Sequence, residues 1–383
     1  MKDTIIIWGA GDIGKQAYYY YKNKGYIKCF IDNNTKLQGS RISGVPVKEP
    51  DYLKTVNDVK IILAVRRRRE EIQKQLLEQY HITRFILFDI SEEIMEICRE
   101  NDPKNAKEII IEYEGGLGNQ MFQYAFSKCF MKRGCEVTAD ISTYYYPGRR
   151  KFVLNRVFGQ TDIFPANISL KWNYKKNNLV YCEKSIYEEV NKQAQLELLN
   201  NSEGYFSGYW QSYEYVSRVE QELRKDFTFT LLKEKKLKSM EEQIKSVCAV
   251  SVHVRRGDYL LRKSQEIMGE ICTSLYYENA IRYVCEHIPD AVFFVFSDDV
   301  EWCREKFKNL HAVFSDASIY DHYEDWYDMY LMSCCKHNII ANSTFSWWGA
   351  WLNKNTEKIV IAPSRWLNIC DMVDICPNEW IRL

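Results

Sequence analysis

Short apolar runs alternate with helical patterns over the first part of the chain. The runs are Thr4–Trp8, Ile27–Ile31, 60–65 and 84–88. Helical patterns follow the first run, to about Lys24, and lie near Glu70–Tyr80. Strands that alternate with helices predict a small, parallel, doubly wound sheet. The stretch at 91–107 is charged and contains an Asn-Asp-Pro sequence, so we predict a first domain at 1–90 and a linker at 91–107.

The same alternation returns after the linker. A strand is predicted at Glu108–Tyr113, followed by a glycine-rich turn and a helix from about Met121. The segment 144–201 is aromatic and polar with weak periodicity, and no elements are assigned to it. Later strands are predicted at Val247–Val254, Ala291–Phe296, His311–Phe314, His337–Ala341 and Lys358–Ala362. Helices are predicted at Lys233–Lys245, Ser274–His287, Val300–Lys308 and Tyr323–Cys334. We therefore expect two further α/β halves, at 108–245 and 246–383.

Composition and charge narrow the class of protein. The 383 residues contain 52 basic and 52 acidic side chains, so no overall field favours nucleic acid or an anionic membrane. Thirteen cysteines without a C-x-x-C spacing indicate buried thiols in a reducing compartment. We see neither a signal peptide nor a run of 18 apolar residues. We expect a cytoplasmic protein without a transmembrane segment, either free or peripheral at the inner membrane; the oligomeric state is not fixed by these features.

Two features of the first domain suggest ligand binding. Gly9-x-Gly11-x-x-Gly14 follows a strand and opens a helix, and Asp32 ends the next strand, as in dinucleotide-binding turns. A nucleotide or nucleotide-sugar site, a domain that has lost its ligand and, less favoured, a nicotinamide-dependent oxidoreductase all fit this pattern. The arginines at 66–69 are either a solvated helix start or a site for phosphate or anionic glycan.

Three polar turns follow predicted strands of the last half. His253-Val-Arg255-Arg256-Gly-Asp258 ends one strand, Ser297-Asp298-Asp299 ends the next, and Asn342-Ser-Thr-Phe-Ser346 opens a tryptophan-rich helix. Taken singly, each has a plain structural explanation as a core histidine or a helix cap. If the strands are parallel, however, all three turns converge on one sheet edge. Arginine forks suit a diphosphate, and a helix N-terminus adds amide donors.

No Asp-x-Asp pair occurs in the chain. That pair is the usual carboxylate clamp for a divalent metal on a nucleoside diphosphate. We therefore expect no metal site and no cofactor, with the arginines neutralising the phosphates instead.

Four motifs in order carry a family resemblance. They are Gly115-Gly-Leu-Gly-Asn-Gln-Met-Phe-Gln-Tyr-Ala125, His253-Val-Arg-Arg-Gly-Asp-Tyr259, Phe296-Ser-Asp-Asp299 and Ala341-Asn-Ser-Thr-Phe-Ser-Trp-Trp-Gly-Ala-Trp351. Over about 108–383 the chain resembles the α-1,2-fucosyltransferases of glycosyltransferase family eleven. The resemblance implies a GT-B fold of two Rossmann-like halves, here preceded by a small Rossmann-like parallel-sheet domain. It also implies GDP-L-fucose as donor, inversion at the transferred carbon and no metal.

The resemblance assigns roles to residues of these motifs. Arg255 is expected to hold the β-phosphate and Arg256 to support the loop or the donor. His253 and one of Asp298 and Asp299 are expected to meet guanine or ribose. Asn119 is expected to face the cleft near the fucose. Ser343, Thr344 and Ser346 are expected to meet the diphosphate. The remaining expected donor-binding residues are Phe345, and Gly116 and Gly118 in the first turn.

One catalytic role rests on position alone. Asp258 lies on the arginine loop and is our candidate general base for the acceptor hydroxyl, with Arg255 and Asn119 completing the expected catalytic set. Orienting Arg255 or capping the turn is an equally good interpretation of Asp258.

The predicted activity is transfer of L-fucose to the 2-hydroxyl of a galactose-terminated oligosaccharide or lipid-linked glycan. A non-catalytic nucleotide- or glycan-binding protein and a transferase for another GDP-linked deoxy sugar are the alternatives. The first domain, with Ile42-Ser-Gly-Val-Pro46, more weakly resembles the nucleotide-sugar-binding domain that precedes some bacterial sugar acetyltransferases.

Overall fold

The chain forms two compact units, the first chiefly within Met1–Lys104 and the second chiefly within Asn105–Leu383. The computed structural model describes residues 3–22, 25–65, 68–88, 108–145, 150–159, 161, 163–165, 174, 178–183, 196–230, 235–320, 323–369, 372 and 374–383. The linker predicted at 91–107 and two of the four arginines at 66–69 lie outside these residues.

The first unit is built on a six-stranded sheet. Its strands are β1 (Thr4–Trp8), β2 (Tyr26–Ile31), β3 (Arg41–Ile42), β4 (Val45–Lys48), β5 (Lys60–Leu63) and β6 (Ile86–Leu87), in the order β3-β4-β2-β1-β5-β6. All pairs are parallel except the β3–β4 hairpin. Helices α1 (Asp12–Tyr21) and α2 (Arg69–Glu78) and the 3-10 turn Pro50–Thr55 complete it. The predicted parallel sheet is confirmed.

The glycine turn of the first unit has the backbone that its sequence predicts. Gly9 has φ +118°, and a side chain on Gly14 would overlap the backbone of Gly9, so glycine is needed at both positions. The amide of Ala10 donates a 2.7 Å hydrogen bond to Asp32 Oδ2. Asp32, the acid that follows β2, therefore contacts the glycine turn.

Two other predictions in this unit have clear outcomes. The β3–β4 hairpin was not predicted; its two-residue turn places Ser43 and Gly44 at φ +50° and +81°, as the twist of such hairpins requires. Arg68, the described start of the arginine run, is exposed and ion-paired with Glu71. That contact agrees with the interpretation of the arginine run as a solvated helix start.

The second unit contains two parallel sheets, as expected for two Rossmann-like halves. The first has strands β7 (Ile109–Glu112), β8 (Val137–Asp140), β9 (Phe164–Pro165), β10 (Val180–Cys182) and β11 (Gly204–Ser207), in the order β10-β11-β7-β8-β9. Its helices are α3 (Leu117–Met131), α4 (Leu154–Val157), α5 (Tyr213–Arg218), α6 (Glu220–Asp226) and α7 (Lys235–Lys245). A 3-10 turn spans Ser142–Tyr145.

The second sheet of this unit has six strands. They are β12 (Cys248–Val254), β13 (Ala291–Ser297), β14 (Ala312–Phe314), β15 (His337–Ile339), β16 (Val360–Ala362) and β17 (Ile381–Arg382), in the order β14-β13-β12-β15-β16-β17. Its helices are α8 (Arg262–Met268), α9 (Ser274–His287), α10 (Val300–Lys306), α11 (Trp326–Cys334) and α12 (Thr344–Leu352), with 3-10 turns at Asp258–Leu260 and Ala317–Ile319. All strand pairs are parallel. The five strands predicted here are confirmed to within about two residues.

A shared aromatic core joins the two halves of the second unit. Phe122 of α3 lies 4.7 Å from the ring centre of Trp347 and 5.0 Å from that of Trp348, both on α12. All three side chains are fully buried. The indole N–H of Trp348 donates to the carbonyl of Gly118 at 2.9 Å. Helices α3 and α12 therefore hold the ends of the two sheets together.

Helix α3 begins one turn earlier than predicted. We expected its start near Met121, whereas Gly116 is the cap and Leu117 the first helical residue. Three glycines in the five residues 115–119 argue against an early helix start on propensity alone. Contact with α12 overrides that preference, because only glycine fits at position 118. The Gly-Leu-Gly-Asn sequence thus forms the first turn of the helix.

Candidate active site

Three strand ends meet at one edge of the second sheet. Strand β12 pairs in parallel with β13, where Val254 lies opposite Ser297, and with β15. The residues that follow these strands are the arginine loop, the Asp298–Asp299 pair and the turn into α12. The predicted convergence of the three polar turns is confirmed. Ligands of open α/β sheets bind at this carboxyl edge.

Arg255 lies at the centre of this edge and is held by two carboxylates. Its Nε and one terminal nitrogen contact Asp258 Oδ1 at 2.9 and 2.8 Å, and the other terminal nitrogen contacts Asp298 Oδ2 at 2.9 Å. The side chain is 22% exposed. The guanidinium is thus fixed by a carboxylate on each side and is still partly open to solvent. This arrangement suits bidentate contact with an anion.

Arg256 is fixed against the next strand. Its backbone amide donates to Asp298 Oδ1, its Nε pairs with Asp299 Oδ2 at 3.0 Å, and its guanidinium lies 4.2 Å from the ring centre of Trp302. Asp299 also caps α10 by accepting from the amide of Trp302. This arrangement supports the loop.

The three carboxylates of the edge are all engaged by arginine. Asp258 Oδ1 accepts from Arg255, and Asp258 Oδ2 accepts from Arg150 at 3.2 Å. Asp298 and Asp299 hold Arg255 and Arg256. The structure thus brings together the residues predicted for ribose contact and for base catalysis, and it shows each of them as a counter-ion. Their roles toward a substrate stay predictions.

His253 is a buried residue of β12, two positions before Arg255. Its ring lies 5.9 Å from the ring of Phe345, and its Nδ1 has no hydrogen-bond partner among the described residues. Burial, and then the nearby Arg255 charge, lower the pKa of His253 to about 3. The ring is therefore neutral at physiological pH and leaves one buried polar atom unsatisfied, which is costly without a ligand or solvent partner.

The hydroxyls predicted to meet the diphosphate have different surroundings. Ser343 is the N-cap residue of α12, and no side-chain cap bond is formed there. Thr344 donates to Asn119 Oδ1 at 2.8 Å. Ser346 is fully buried and donates to the carbonyls of Ala341 and Ser343. Ser343 and the amides at the start of α12 are thus the groups of this turn best placed for an anion.

Asn119 and Gly118 belong to the contact between the halves, whereas Gly116 lies against Arg150 of its own half. Asn119 Oδ1 also accepts from Gln211 at 3.2 Å. A side chain on Gly118 would lie 2.6 Å from the backbone carbon of Thr344 and 2.7 Å from the amide nitrogen of Phe345. A side chain on Gly116 would meet only the side chain of Arg150, at 3.3 Å. Gly118 therefore permits the contact between helices, whereas Gly116 leaves room for an arginine.

A cavity of about 340 Å³ opens beside the two arginines. Its walls are polar and apolar in about equal parts; they include Met268, Thr273, Leu275, Tyr277 and Trp302. Apolar and aromatic side chains can contact a flat ring, while the polar groups can fix its orientation. Next to a pair of arginines, such a cavity suits part of a nucleotide.

Sequence analysis missed Arg150, the third arginine of this edge. It precedes α4, in the half opposite Arg255, and is about half exposed. The signal was the Pro-Gly-Arg-Arg sequence that ends at this residue, inside the aromatic segment to which no elements were assigned. The contact with Asp258 is a property of the folded chain and has no sequence signature.

Among the described residues, no group of three or more His, Cys, Asp or Glu side chains could hold a metal ion. Within those same ranges, no helix has the length and apolar character needed to cross a bilayer.

Two parallel α/β halves that meet at an arginine-rich carboxyl edge are the architecture of the GT-B class of glycosyltransferases. The chain belongs to glycosyl transferase family 11, whose sequence profile matches residues 59–383. The resemblance predicted for 108–383 is therefore confirmed, and the match begins further upstream than expected. Residues 1–84 match a second profile, C2185-like, N-terminal.

Two relatives from Escherichia coli share most of this length, and a human relative shares a shorter part. An alpha-1,2-colitosyltransferase of Escherichia coli is 33% identical over 294 residues, which cover 72% of this chain and 98% of that protein. The O-antigen biosynthesis glycosyltransferase WbnK of the same organism is 31% identical, covering 70% and 98%. The human galactoside alpha-(1,2)-fucosyltransferase 1 is 28% identical over 38% of this chain and 42% of its own length.

Proposed function

We propose that this glycosyltransferase moves L-fucose from GDP-L-fucose to the 2-hydroxyl of a galactose-terminated glycan, with inversion and without a metal ion. The observation that carries the proposal is the arginine pair at the carboxyl edge, held open by carboxylates beside a cavity and a helix N-terminus. A nucleoside diphosphate is the chemical group that matches this set of donors. Relatives named for α-1,2 transfer support the linkage.

The main barrier is departure of the diphosphate. Cleavage of the bond from C1 to the phosphate oxygen transfers an electron pair to GDP and leaves positive charge on the sugar ring. Arg255 stabilises the charge that develops on the β-phosphate, and the amides at the start of α12 add partial positive charge. The acceptor oxygen attacks C1 from the opposite face, and its proton passes to a base. Asp258 is the proposed base, since it lies at the same edge.

The sugar itself has one competing assignment. The alpha-1,2-colitosyltransferase relative favours colitose, which is L-fucose without its 3-hydroxyl, as the second candidate. The test is incubation of the protein with GDP-L-fucose and GDP-colitose, separately and in competition, over a panel of galactose-terminated acceptors. Turnover of GDP-fucose at the higher kcat/KM supports the proposal. A higher kcat/KM with GDP-colitose would make colitose the transferred sugar. GDP binding without transfer to any acceptor would indicate a binding protein.

Metal independence follows from the arginines. With Arg255 and Arg256 at the diphosphate, the reaction has no need of a divalent ion to neutralise the leaving group. Initial rates measured in excess EDTA should match those in untreated enzyme, and added manganese or magnesium should raise them by less than about twofold. Loss of activity with EDTA that manganese restores would contradict this assignment.

The first unit is proposed to be an accessory nucleotide-sugar or docking domain, with a boundary near residue 90. The residues assigned to chemistry all lie beyond residue 108. A fragment that begins near Asn105 should therefore transfer fucose to a small acceptor with kcat within about tenfold of the full chain, because contacts between domains are usually modest. The measurement requires a monodisperse fragment. If that fragment binds GDP normally and transfers nothing, the first unit contributes to catalysis.

A further inference from the structure

Arg150 joins the acceptor half to the proposed base, and nothing in the motifs assigns it a role. We infer that Arg150 changes partner during the reaction. It leaves Asp258 for the donor's diphosphate, and its departure frees Asp258 Oδ2 to take the acceptor's proton. The inference rests on the proposed function and deepens it, since it adds a donor-binding residue and orders the steps.

The contacts of the three arginines show which of them is free to move. Arg255 makes three polar contacts of 2.8–2.9 Å and is 22% exposed. Arg256 has an ion pair, a backbone hydrogen bond and a stacked tryptophan. Among the described residues, Arg150 has one polar contact, at 3.2 Å, and its side chain is 52% exposed. A single exposed ion pair is weak because solvent screens it, so Arg150 is the arginine that exchanges most readily.

Charge balance at the edge favours the exchange. Arg150, Arg255 and Arg256 are matched by Asp258, Asp298 and Asp299, so the six groups sum to zero formal charge before the donor binds. A nucleotide-sugar diphosphate adds about two negative charges and needs a partner. The two phosphate charges attract the weakly held Arg150 more strongly than the single carboxylate of Asp258 does.

Gly116 gives Arg150 its position. A side chain at 116 would lie 3.3 Å from the terminal nitrogen of Arg150 and 3.5 Å from its Cδ. Glycine here lets the arginine stem lie against the first turn of α3 and reach across the cleft. This assigns a function to a glycine that the sequence placed only loosely at the donor.

The exchange also explains how Asp258 becomes available. Before the donor binds, both oxygens of Asp258 accept from arginine, Oδ1 from Arg255 and Oδ2 from Arg150. When Arg150 contacts the diphosphate, Oδ2 is open to the acceptor. The acceptor's O–H proton then passes to Oδ2 as its oxygen bonds to C1 and GDP leaves with the electron pair. The base is thus exposed only when donor is present.

A double-mutant cycle on the full-length protein tests this inference. Arg150→Ala should weaken GDP binding in calorimetry about 10- to 100-fold, the effect of a lost charged hydrogen bond. The same loss should persist in an Asp258→Asn background, where kcat is already reduced but the arginine still meets the phosphates. If Arg150 acted only by holding Asp258, its removal in that background would leave GDP affinity unchanged, which overturns the exchange.

Two further variants sharpen the result. Gly116→Ala should weaken GDP binding several-fold in the wild type and have no added effect with Arg150→Ala. Arg156→Ala is the matched control, since Arg156 is 51% exposed and paired with Glu324 in the same unit; its GDP affinity should stay within twofold. Wild-type protein that fails to bind GDP overturns the proposed donor together with the exchange. Equal affinities of wild type and Arg150→Ala overturn the exchange alone.

Discussion

Replacing Arg255 with alanine is expected to lower kcat about 100- to 1,000-fold, the effect of losing one preorganised charge at a leaving group. The fold should persist, because Asp258 and Asp298 each lose only one of two partners, are 41% and 25% exposed, and can be hydrated. Steady-state kinetics with GDP-fucose and a galactose-terminated acceptor provide the measurement, and circular dichroism checks the fold.

Two companion variants make the Arg255 result interpretable. Arg255→Lys should restore little, because an ammonium does not reproduce the three contacts of the fork. Arg304→Ala is the control, since Arg304 lies on α10 of the same half, is 44% exposed and pairs with Asp316. Its kcat should match that of the wild type. Near-normal turnover by a folded Arg255→Ala protein would show that the diphosphate binds elsewhere.

Gly118→Ala is expected to damage both the stability of the second unit and its activity. The added methyl would lie 2.6–2.7 Å from backbone atoms of Thr344 and Phe345, and backbone cannot turn aside as a side chain can. Overpacking of this kind costs about 1–3 kcal/mol of unfolding free energy. It should also separate Thr344 from Asn119 and so reduce kcat. Thermal unfolding and kinetics give the two readouts.

Gly116→Ala is the matched control for the unfolding measurement. It lies two residues away, and its methyl would meet only the side chain of Arg150. Its Tm should stay close to that of the wild type, while that of Gly118→Ala falls by several degrees. A Gly118→Ala protein as stable and active as the wild type would mean that the two helices can separate at little cost.

The sequence was informative where apolar periodicity and polar strand ends coincide. Seven buried or half-buried residues at Cys248–Val254, followed at once by two arginines, predict both a central strand and a ligand edge. Parallel pairing then brings Asp298 and the start of α12 beside them, because all carboxyl ends of such a sheet meet on one side. Prediction of the three converging turns therefore required only the order of parallel strands in the sheet.

Other features of the site could not be predicted because they depend on tertiary contact. The early start of α3 runs against the helix propensity of Gly118 and is set by α12. The Arg150–Asp258 ion pair joins positions 108 residues apart. The segment 144–201 has weak periodicity because its short described strands, such as Val180–Cys182, alternate too briefly to give a pattern.

The buried contact between α3 and α12 has a consequence for kinetics. Rigid-body opening of the two halves would have to pull Phe122 away from Trp347 and Trp348 and break the Trp348–Gly118 hydrogen bond. Hinge motions of that size occur in microseconds to milliseconds, whereas an exposed arginine changes rotamer in nanoseconds or less. Donor binding should therefore depend on the rotamer change of Arg150 and not on opening of the two halves. The association rate should be controlled by diffusion and should depend on ionic strength. Binding traces should stay single-exponential up to the highest donor concentrations.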